Sequence, residues 1–119
     1  MGRWAAVRKE DDSVIGWCGL KLHPNGEVDL GYRIFKKYWN QGFATEAGLA
    51  SLEYGFDILG LKEIIGQVLP VHAASIRVLE KVGMQFLRHD VDEETGQKIL
   101  VYSINHEDFS RNKSLSAGG

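Results

Sequence analysis

The change of hydrophobic period across residues 27–59 constrains the fold of this chain most strongly. Residues 27–35 alternate between apolar and polar side chains, which is the pattern of a half-buried β-strand. The apolar members of this alternation are Val28, Leu30, Tyr32 and Ile34. Residues 43–59 instead carry apolar side chains at helical spacing, and Gly60 follows as a natural C-terminal cap. A strand that leads into a long helix predicts a sheet with a helix packed on it.

Turn signals and periodicity divide the rest of the chain into further strands and a second helix. The predicted elements are strands 4–8, 14–22 and 27–35, helix 43–59, strand 63–69, helix 73–82, and strands 86–91 and 98–104. Two apolar stripes run along helix 43–59, so we expect it to be buried over much of its circumference. The order β-β-β-α-β-α-β-β predicts an α/β (α+β) fold, with a mixed, mostly antiparallel sheet of about six strands and two main helices.

Length and composition indicate one domain and exclude several classes of function. The chain has 119 residues, and we expect a single domain over residues 1–109 followed by a disordered tail over 110–119. A net charge of −2 disfavours nucleic-acid binding. No apolar run approaches the ~20 residues that span a bilayer, and no signal-peptide pattern opens the chain, so we expect a cytoplasmic protein. Cys18 is the single cysteine, and no metal site is predicted.

The segment 38–47 joins the third predicted strand to the long helix and carries Gly42 and Ala44 two positions apart. Such a loop can leave successive backbone N–H groups unpaired, and the first turn of the helix adds more of them together with the positive end of its dipole. This arrangement suits a pyrophosphate. The alternative is a plain connection with a flexible glycine. Neither a Walker sequence nor a dinucleotide glycine fingerprint is present, so ATP and NAD are poor candidates.

Three segments, residues 31–35, 38–47 and 74–84, resemble in order and spacing the GCN5-related N-acetyltransferases (GNAT). Within them, the resemblance is closest to the RimJ/RimL group of ribosomal-protein N-terminal acetyltransferases, and it covers roughly residues 4–109. It implies acetyl-CoA-dependent transfer of an acetyl group to a primary amine, on a protein N-terminus or a small molecule, by direct attack in a ternary complex. A non-catalytic acyl-CoA-binding module and a dimerisation module are the alternatives.

The resemblance also implies which residues contact acetyl-CoA. They are Tyr32, Arg33, Ile34, Trp39, Asn40, Gln41, Gly42, Phe43, Ala44, Thr45, His72 and Arg77. Trp39 stands where the family has a basic or amide residue, but the family binds the pyrophosphate through backbone N–H groups. The N–H of Ile34 is implied to polarise the acetyl carbonyl, as a fixed donor aimed at charge that grows in the transition state. Other roles stay open: packing for Tyr32, a helix cap for His72 and a solvated surface charge for Arg77.

Two residues are implied to act in catalysis. Asp29 holds the position of the family's acidic residue, and because an ammonium group has no lone pair, a carboxylate must take its proton directly or through water. Glu27, on the same face, is the backup, and a solvated strand carboxylate is the alternative. Ser75 is the candidate for assisting departure of the thiolate, because Leu79 stands where many relatives carry a tyrosine. Ser75 is otherwise a small residue in the first turn of a helix.

The chain starts at what resembles the family's second strand, without the strand and two helices that normally precede it. We expect this to leave a sheet edge and apolar surface exposed. The expected consequence is self-association, with a homodimer covering the edge. We also expect binding of acetyl-CoA to survive better than selection of the acceptor amine.

Overall fold

The computed structural model describes residues 2–118, with side chains described up to residue 113. The strands are β1 (Arg3–Val7), β2 (Val14–Leu22), β3 (Val28–Ile34), β4 (Glu63–Val68), β5 (Gln85–Val91) and β6 (Lys98–Asn105). The helices are α1 (Phe43–Glu53), α2 (Ala73–Lys81) and α3 (His106–Gly118). A short 3-10 helix, Lys36–Tyr38, precedes α1, and a π-helical turn, Tyr54–Ile58, extends it. The predicted order of elements is confirmed, and α3 is added at its end.

The strands form one six-stranded sheet in the order β1-β2-β3-β4-β6-β5. Neighbouring strands are antiparallel except for β3 and β4, which run parallel. The predicted mixed, mostly antiparallel sheet is therefore confirmed. β3 and β4 pair at one position, where Asp29 lies opposite Ile65. Beyond this pair the two strands separate, which leaves an opening between their C-terminal halves.

The main hydrophobic core lies between one face of the sheet and the helices. It includes Leu30 from β3, Leu52 from α1 and Leu79 from α2. Gly48 lets α1 approach its neighbours closely, because a Cβ atom there would lie 3.1 Å from the Cγ1 of Val82. The helices are thereby held against β3 and β4, on either side of the opening.

The expectation that helix 43–59 is buried over much of its circumference is wrong. Its inner face, with Leu52 and Phe56, is fully buried, whereas Leu49, Tyr54 and Ile58 are 39%, 38% and 69% exposed. The reason is that the sheet and α2 pack against one side of this helix. The other side borders a groove of about 820 Å³ beside β1.

The chain continues as helix α3 where the sequence predicts disorder from residue 110; Gly119 lies outside the described residues. The side chain of Asn105 caps α3 by accepting a hydrogen bond from the Asp108 N–H at 2.7 Å. Phe109 is buried, and its ring centroid lies 5.2 Å from that of Phe56. The cap and this contact stabilise a segment whose composition is polar. Among the helices of residues 2–118, none has both the length and the apolar content needed to cross a membrane.

Candidate active site

The opening between β3 and β4 contains a cavity of about 370 Å³. Its walls come from residues 29–32 of β3, residues 67–69 at the end of β4, one side of α2 with the residue before it, and the β5–β6 turn with the start of β6. Four of the residues singled out from the sequence line this cavity together: Asp29, Tyr32, His72 and Ser75. Successive residues of a strand point to opposite faces of the sheet. Asp29 therefore borders the cavity from one face, and Tyr32 borders it from the face that carries the helices.

The backbone N–H groups of residues 40–45 have no hydrogen-bond acceptor within the described part of the chain. Gly42 precedes α1 with a φ of +81°, and Asn40 also has a left-handed φ, of +63°. Left-handed residues in a loop turn successive N–H groups toward one side, which forms an anion-binding concavity. The free N–H groups of Phe43, Ala44 and Thr45 and the helix dipole of α1 add to it.

The N–H of Ile34 points toward the opening, as the pairing of β3 with β2 requires. The N–H of Phe35 donates to the carbonyl of Ile15 at 2.8 Å. In an antiparallel ladder, alternate residues bond to the same neighbour. Phe35 and every second residue before it bond to β2. Ile34 and Tyr32 occupy the positions in between, so their N–H and carbonyl groups point away from β2 and toward the β4 side.

Trp39 joins the loop to the end of β3. Its indole N–H donates a 2.7 Å hydrogen bond to the carbonyl of Ile34, while 57% of the residue stays exposed. The resemblance leads us to expect a basic or amide side chain at position 39. The indole that stands there instead fixes the loop against the strand. The bond uses the Ile34 carbonyl on the open side of β3, in agreement with the direction derived for its N–H.

Asp29 forms a close contact that sequence reasoning missed. Its Oδ2 lies 3.1 Å from the Nε2 of His23, and the two side chains are 18% and 23% exposed. Burial raises the pKa of Asp29, and the bond to His23 opposes that shift. The signal for this contact was available in the β2–β3 turn. The N–H of His23 donates to the carbonyl of Glu27, which sets His23 diagonal to Asp29 on the same face.

Glu27, the backup base, is held by another group. Arg88 of β5 donates two hydrogen bonds to its carboxylate, at 2.8 and 3.0 Å. This bidentate pair lowers the pKa of Glu27, with a further contribution from the amide of Asn25. A carboxylate held in this way is a poor proton acceptor, so Asp29 is the better placed of the two.

Tyr32 places a hydroxyl group at the helix side of the cavity. The hydroxyl oxygen is buried and has no hydrogen-bond partner among the described residues. Burial raises the pKa of Tyr32, and the nearby hydroxyl of Ser75 opposes this shift, although no well-formed hydrogen bond joins the two side chains. The site therefore combines a buried carboxylate on one face with a pair of hydroxyls on the other.

Three further residues of the predicted acetyl-CoA contact set differ in their position relative to the cavity. The guanidinium of Arg33 sits 5.7 Å from the ring centroid of Trp17 on the outer face of the sheet. Arg77 is exposed on α2 and does not line the cavity. His72 borders the cavity at the start of α2, where its side chain forms no capping hydrogen bond. The cap considered for the His72 side chain is therefore not formed.

Comparisons with known proteins identify the family of the chain. Residues 1–85 match the family model described as an acetyltransferase (GNAT) domain. The chain is 36% identical over 107 residues to the uncharacterised N-acetyltransferase p20 of Bacillus licheniformis. This alignment covers 87% of this chain and 60% of the p20 protein. It is 28% identical over 127 residues to FsC-acetyl coenzyme A-N(2)-transacetylase of Aspergillus fumigatus, covering 92% of this chain and 52% of that one.

Solved structures share the fold. An acetyltransferase of the GNAT family from Bacillus anthracis superposes with a TM-score of 0.78 and 26% identity, over 88% of this chain and 66% of the other. A spermidine/spermine N-acetyltransferase from Vibrio cholerae gives a TM-score of 0.79 at 20% identity, over 92% of this chain and 69% of the other, and this likeness concerns the fold alone. The chain spans about half to three fifths of the length of the curated relatives it matches.

Proposed function

Because the chain belongs to the GNAT acetyltransferase family, we propose that it binds acetyl-CoA in the opening between β3 and β4 and transfers the acetyl group to a primary amine. The amine attacks the thioester directly while both substrates are bound. Acetyl-CoA is the acetyl donor in this family, and the residues around the opening fit its parts: a diphosphate, an extended amide-containing arm and a thioester.

The observation that carries this proposal is the run of unbonded N–H groups at residues 40–45. Charge-assisted hydrogen bonds from backbone N–H groups to phosphate oxygens are strong, and the start of α1 adds a favourable dipole. The outward N–H groups of Tyr32 and Ile34 supply donors along β3 for the amide arm and the acetyl carbonyl. Trp39 supports this arrangement by fixing the loop to the carbonyl of Ile34.

Asp29 is the proposed base for the acceptor. It lines the cavity, it is mostly buried, and its raised pKa makes it a better proton acceptor than an ordinary aspartate. Ser75 is proposed to assist at the thioester from the opposite face. Asp92 also lines the cavity, and no Lys or Arg among the described residues does so. Two carboxylates without a lysine or arginine beside them favour a cationic amine.

The acceptor and the branch of the family form the finer part of the proposal. The motifs in residues 31–47 support a RimJ/RimL-like branch and hence a peptide N-terminus, whereas the carboxylates at Asp29 and Asp92 are equally suited to a small amine. A panel of peptides and small amines separates the two, because they differ in size beyond the reacting ammonium group.

The test is release of free thiol from acetyl-CoA across this panel, with Asp29→Asn beside the wild type. Asp12→Asn is the matched control, because Asp12 is exposed in the β1–β2 turn and has a left-handed φ of +60°, which asparagine adopts equally well. The expected result is amine-dependent turnover that falls with Asp29→Asn and is unchanged with Asp12→Asn. Calorimetric binding of acetyl-CoA without turnover for any amine would instead make the chain a non-catalytic acyl-CoA-binding module.

Self-association is also part of the proposal. β1 lies at the edge of the sheet, and the groove beside it is lined by Trp4, Leu49 and Tyr54. A second copy that pairs with β1 would complete the ladder of the edge strand and cover these side chains. Sedimentation at micromolar concentration should give a dimer for the wild type and a monomer for Ala5→Pro, since proline removes a donor from the edge. A monomeric wild type contradicts this part.

A cytoplasmic location completes the proposal. Cys18 is buried and forms no disulfide, which suits a reducing compartment. The proposed reaction also requires a compartment that supplies acetyl-CoA. Cell fractionation followed by detection of the protein tests it, and recovery in a secreted or membrane fraction would count against it.

A further inference from the structure

We propose that the hydroxyl of Tyr32 is the proton donor to the thiolate that leaves the acetyl group. The proposal rests on the proposed function, because it concerns the same cavity and the same reaction. The sequence leads us to expect that Tyr32 contacts acetyl-CoA, with packing as its alternative role. The arrangement of its hydroxyl group points to a chemical role instead.

The hydroxyl of Tyr32 is an unsatisfied polar group in the interior of the described part of the chain. It is the buried side-chain polar atom without a hydrogen-bond partner among the described residues. A buried polar group is nearly always hydrogen-bonded, and an exception needs an explanation. Tyr32 lines the cavity of the candidate site, so a ligand in that cavity is the partner that the hydroxyl lacks.

The position of the hydroxyl fits the leaving group rather than the incoming amine. Asp29 borders the cavity from the outer face of β3, and Tyr32 borders it from the helix face. An acyl carbon held between them has a proton acceptor on one side and a proton donor on the other. The phenol is protonated at neutral pH, because its ordinary pKa of about 10 already lies well above 7 and burial raises the pKa further. Leu79, on the same wall, offers no proton.

The protons and bonds of the step balance. The ammonium acceptor first gives one proton to Asp29, and its nitrogen then forms a bond to the acetyl carbon. The bond between that carbon and sulfur breaks, and the sulfur takes the proton of the Tyr32 hydroxyl. The adduct nitrogen loses its second proton, which returns to the Tyr32 oxygen through the hydroxyl of Ser75. The products are the acetylated amine and a free thiol, and Asp29 releases its proton to solvent.

The experiment measures the ionisation of the thiol of bound CoA, so it needs neither turnover nor knowledge of the acceptor. Thiolate absorbance in the ultraviolet is titrated against pH for CoA bound to the wild type, Tyr32→Phe, Ser75→Ala and Tyr102→Phe. Tyr102 is the matched control, because it is buried in the same core but does not line the cavity.

The expected result is that the thiol pKa of bound CoA is higher in Tyr32→Phe than in the wild type by about one unit or more. A hydrogen bond to a charged acceptor shifts an equilibrium by about tenfold or more. Tyr102→Phe should match the wild type, and Ser75→Ala should lie closer to the wild type than Tyr32→Phe does. Tyr32→Phe should fold as well as the wild type, since it deletes an oxygen that has no partner.

The possible outcomes distinguish a failure of the inference about Tyr32 from a failure of the proposed function. Equal thiol pKa values in the wild type and Tyr32→Phe would overturn the inference and leave the proposed function standing. A shift in Ser75→Ala that exceeds the shift in Tyr32→Phe would also overturn it, because Ser75 would then be the donor. If the wild type binds no CoA, the proposed function itself fails.

Discussion

Replacing Gly42 with alanine perturbs the conformation of the anion-binding loop without adding a collision. Gly42 has a φ of +81°, and a Cβ atom built on it meets no atom within 4 Å. Any effect therefore comes from the left-handed backbone, which costs a residue with a side chain about 1–2 kcal/mol. Gly60 is the matched control, because it has a φ of +68°, is equally free of neighbours and lies beyond the other end of the same helical segment.

The two alanine variants should lose similar stability but differ in binding. For a chain of this size, about 1 kcal/mol corresponds to about 4 °C, so each Tm should fall by about 4–8 °C. Gly42→Ala relieves its strain by turning peptide groups of the loop, and binding must then restore the left-handed conformation. We expect its Kd for CoA to rise about tenfold, since 1.4 kcal/mol is a factor of ten. Gly60→Ala should bind CoA as the wild type does.

Thermal unfolding and titration calorimetry on the same samples provide both quantities. Gly42→Asn should fall between the wild type and Gly42→Ala, because asparagine tolerates the left-handed region better than alanine. An unchanged Kd in Gly42→Ala, with stability lost as in Gly60→Ala, would refute a role of this backbone in binding the diphosphate.

Further predictions concern residues around the opening. Burial raises the pKa of Asp29, so the wild type loses stability as the pH rises through the folded-state pKa and this carboxyl ionises, whereas Asp29→Asn has no such group. Urea unfolding should therefore show the stability of Asp29→Asn rising relative to that of the wild type between about pH 3 and pH 7, and a constant difference between the two would contradict this. Gly66→Ala brings a Cβ to 2.9 Å from Leu79 Cδ2 and should lower stability by about 1–3 kcal/mol in the same assay, whereas an unchanged midpoint would show that α2 yields freely. Trp39→Phe removes the 2.7 Å bond to the carbonyl of Ile34 and should cost about 1 kcal/mol, which equal denaturation curves would disprove.

Local patterns were sufficient for most of the fold. The alternation of residues 27–35, the Asn-Gly turn and the helical spacing after residue 43 each report on neighbours within a few positions. β3, the hairpin before it and α1 follow from them. α3 was missed because its cap at Asn105 and its anchor at Phe109 act through tertiary contacts, whereas composition after residue 110 is polar.

The candidate site was predictable in its backbone part and less so in its side chains. Gly42 and Ala44 mark a loop whose N–H groups stay free, and that property follows from local sequence. The engagement of Glu27 by Arg88 did not follow, because the two residues are 61 positions apart and meet only after the sheet has formed. The contact of His23 with Asp29 was within reach, since the turn at residues 24–26 sets their register.

The central claim is that the N–H groups ahead of and within the first turn of α1 bind the diphosphate of the coenzyme. An amide ¹H–¹⁵N titration of the chain with CoA, and in parallel with pantetheine, which lacks the diphosphate, tests it directly. CoA should shift the amide signals of residues 40–45 most strongly, together with that of Ile34, whereas pantetheine should shift Ile34 and leave 40–45 in place. Equal shifts at 40–45 with both compounds, or CoA shifts confined to other parts of the chain, would contradict the claim.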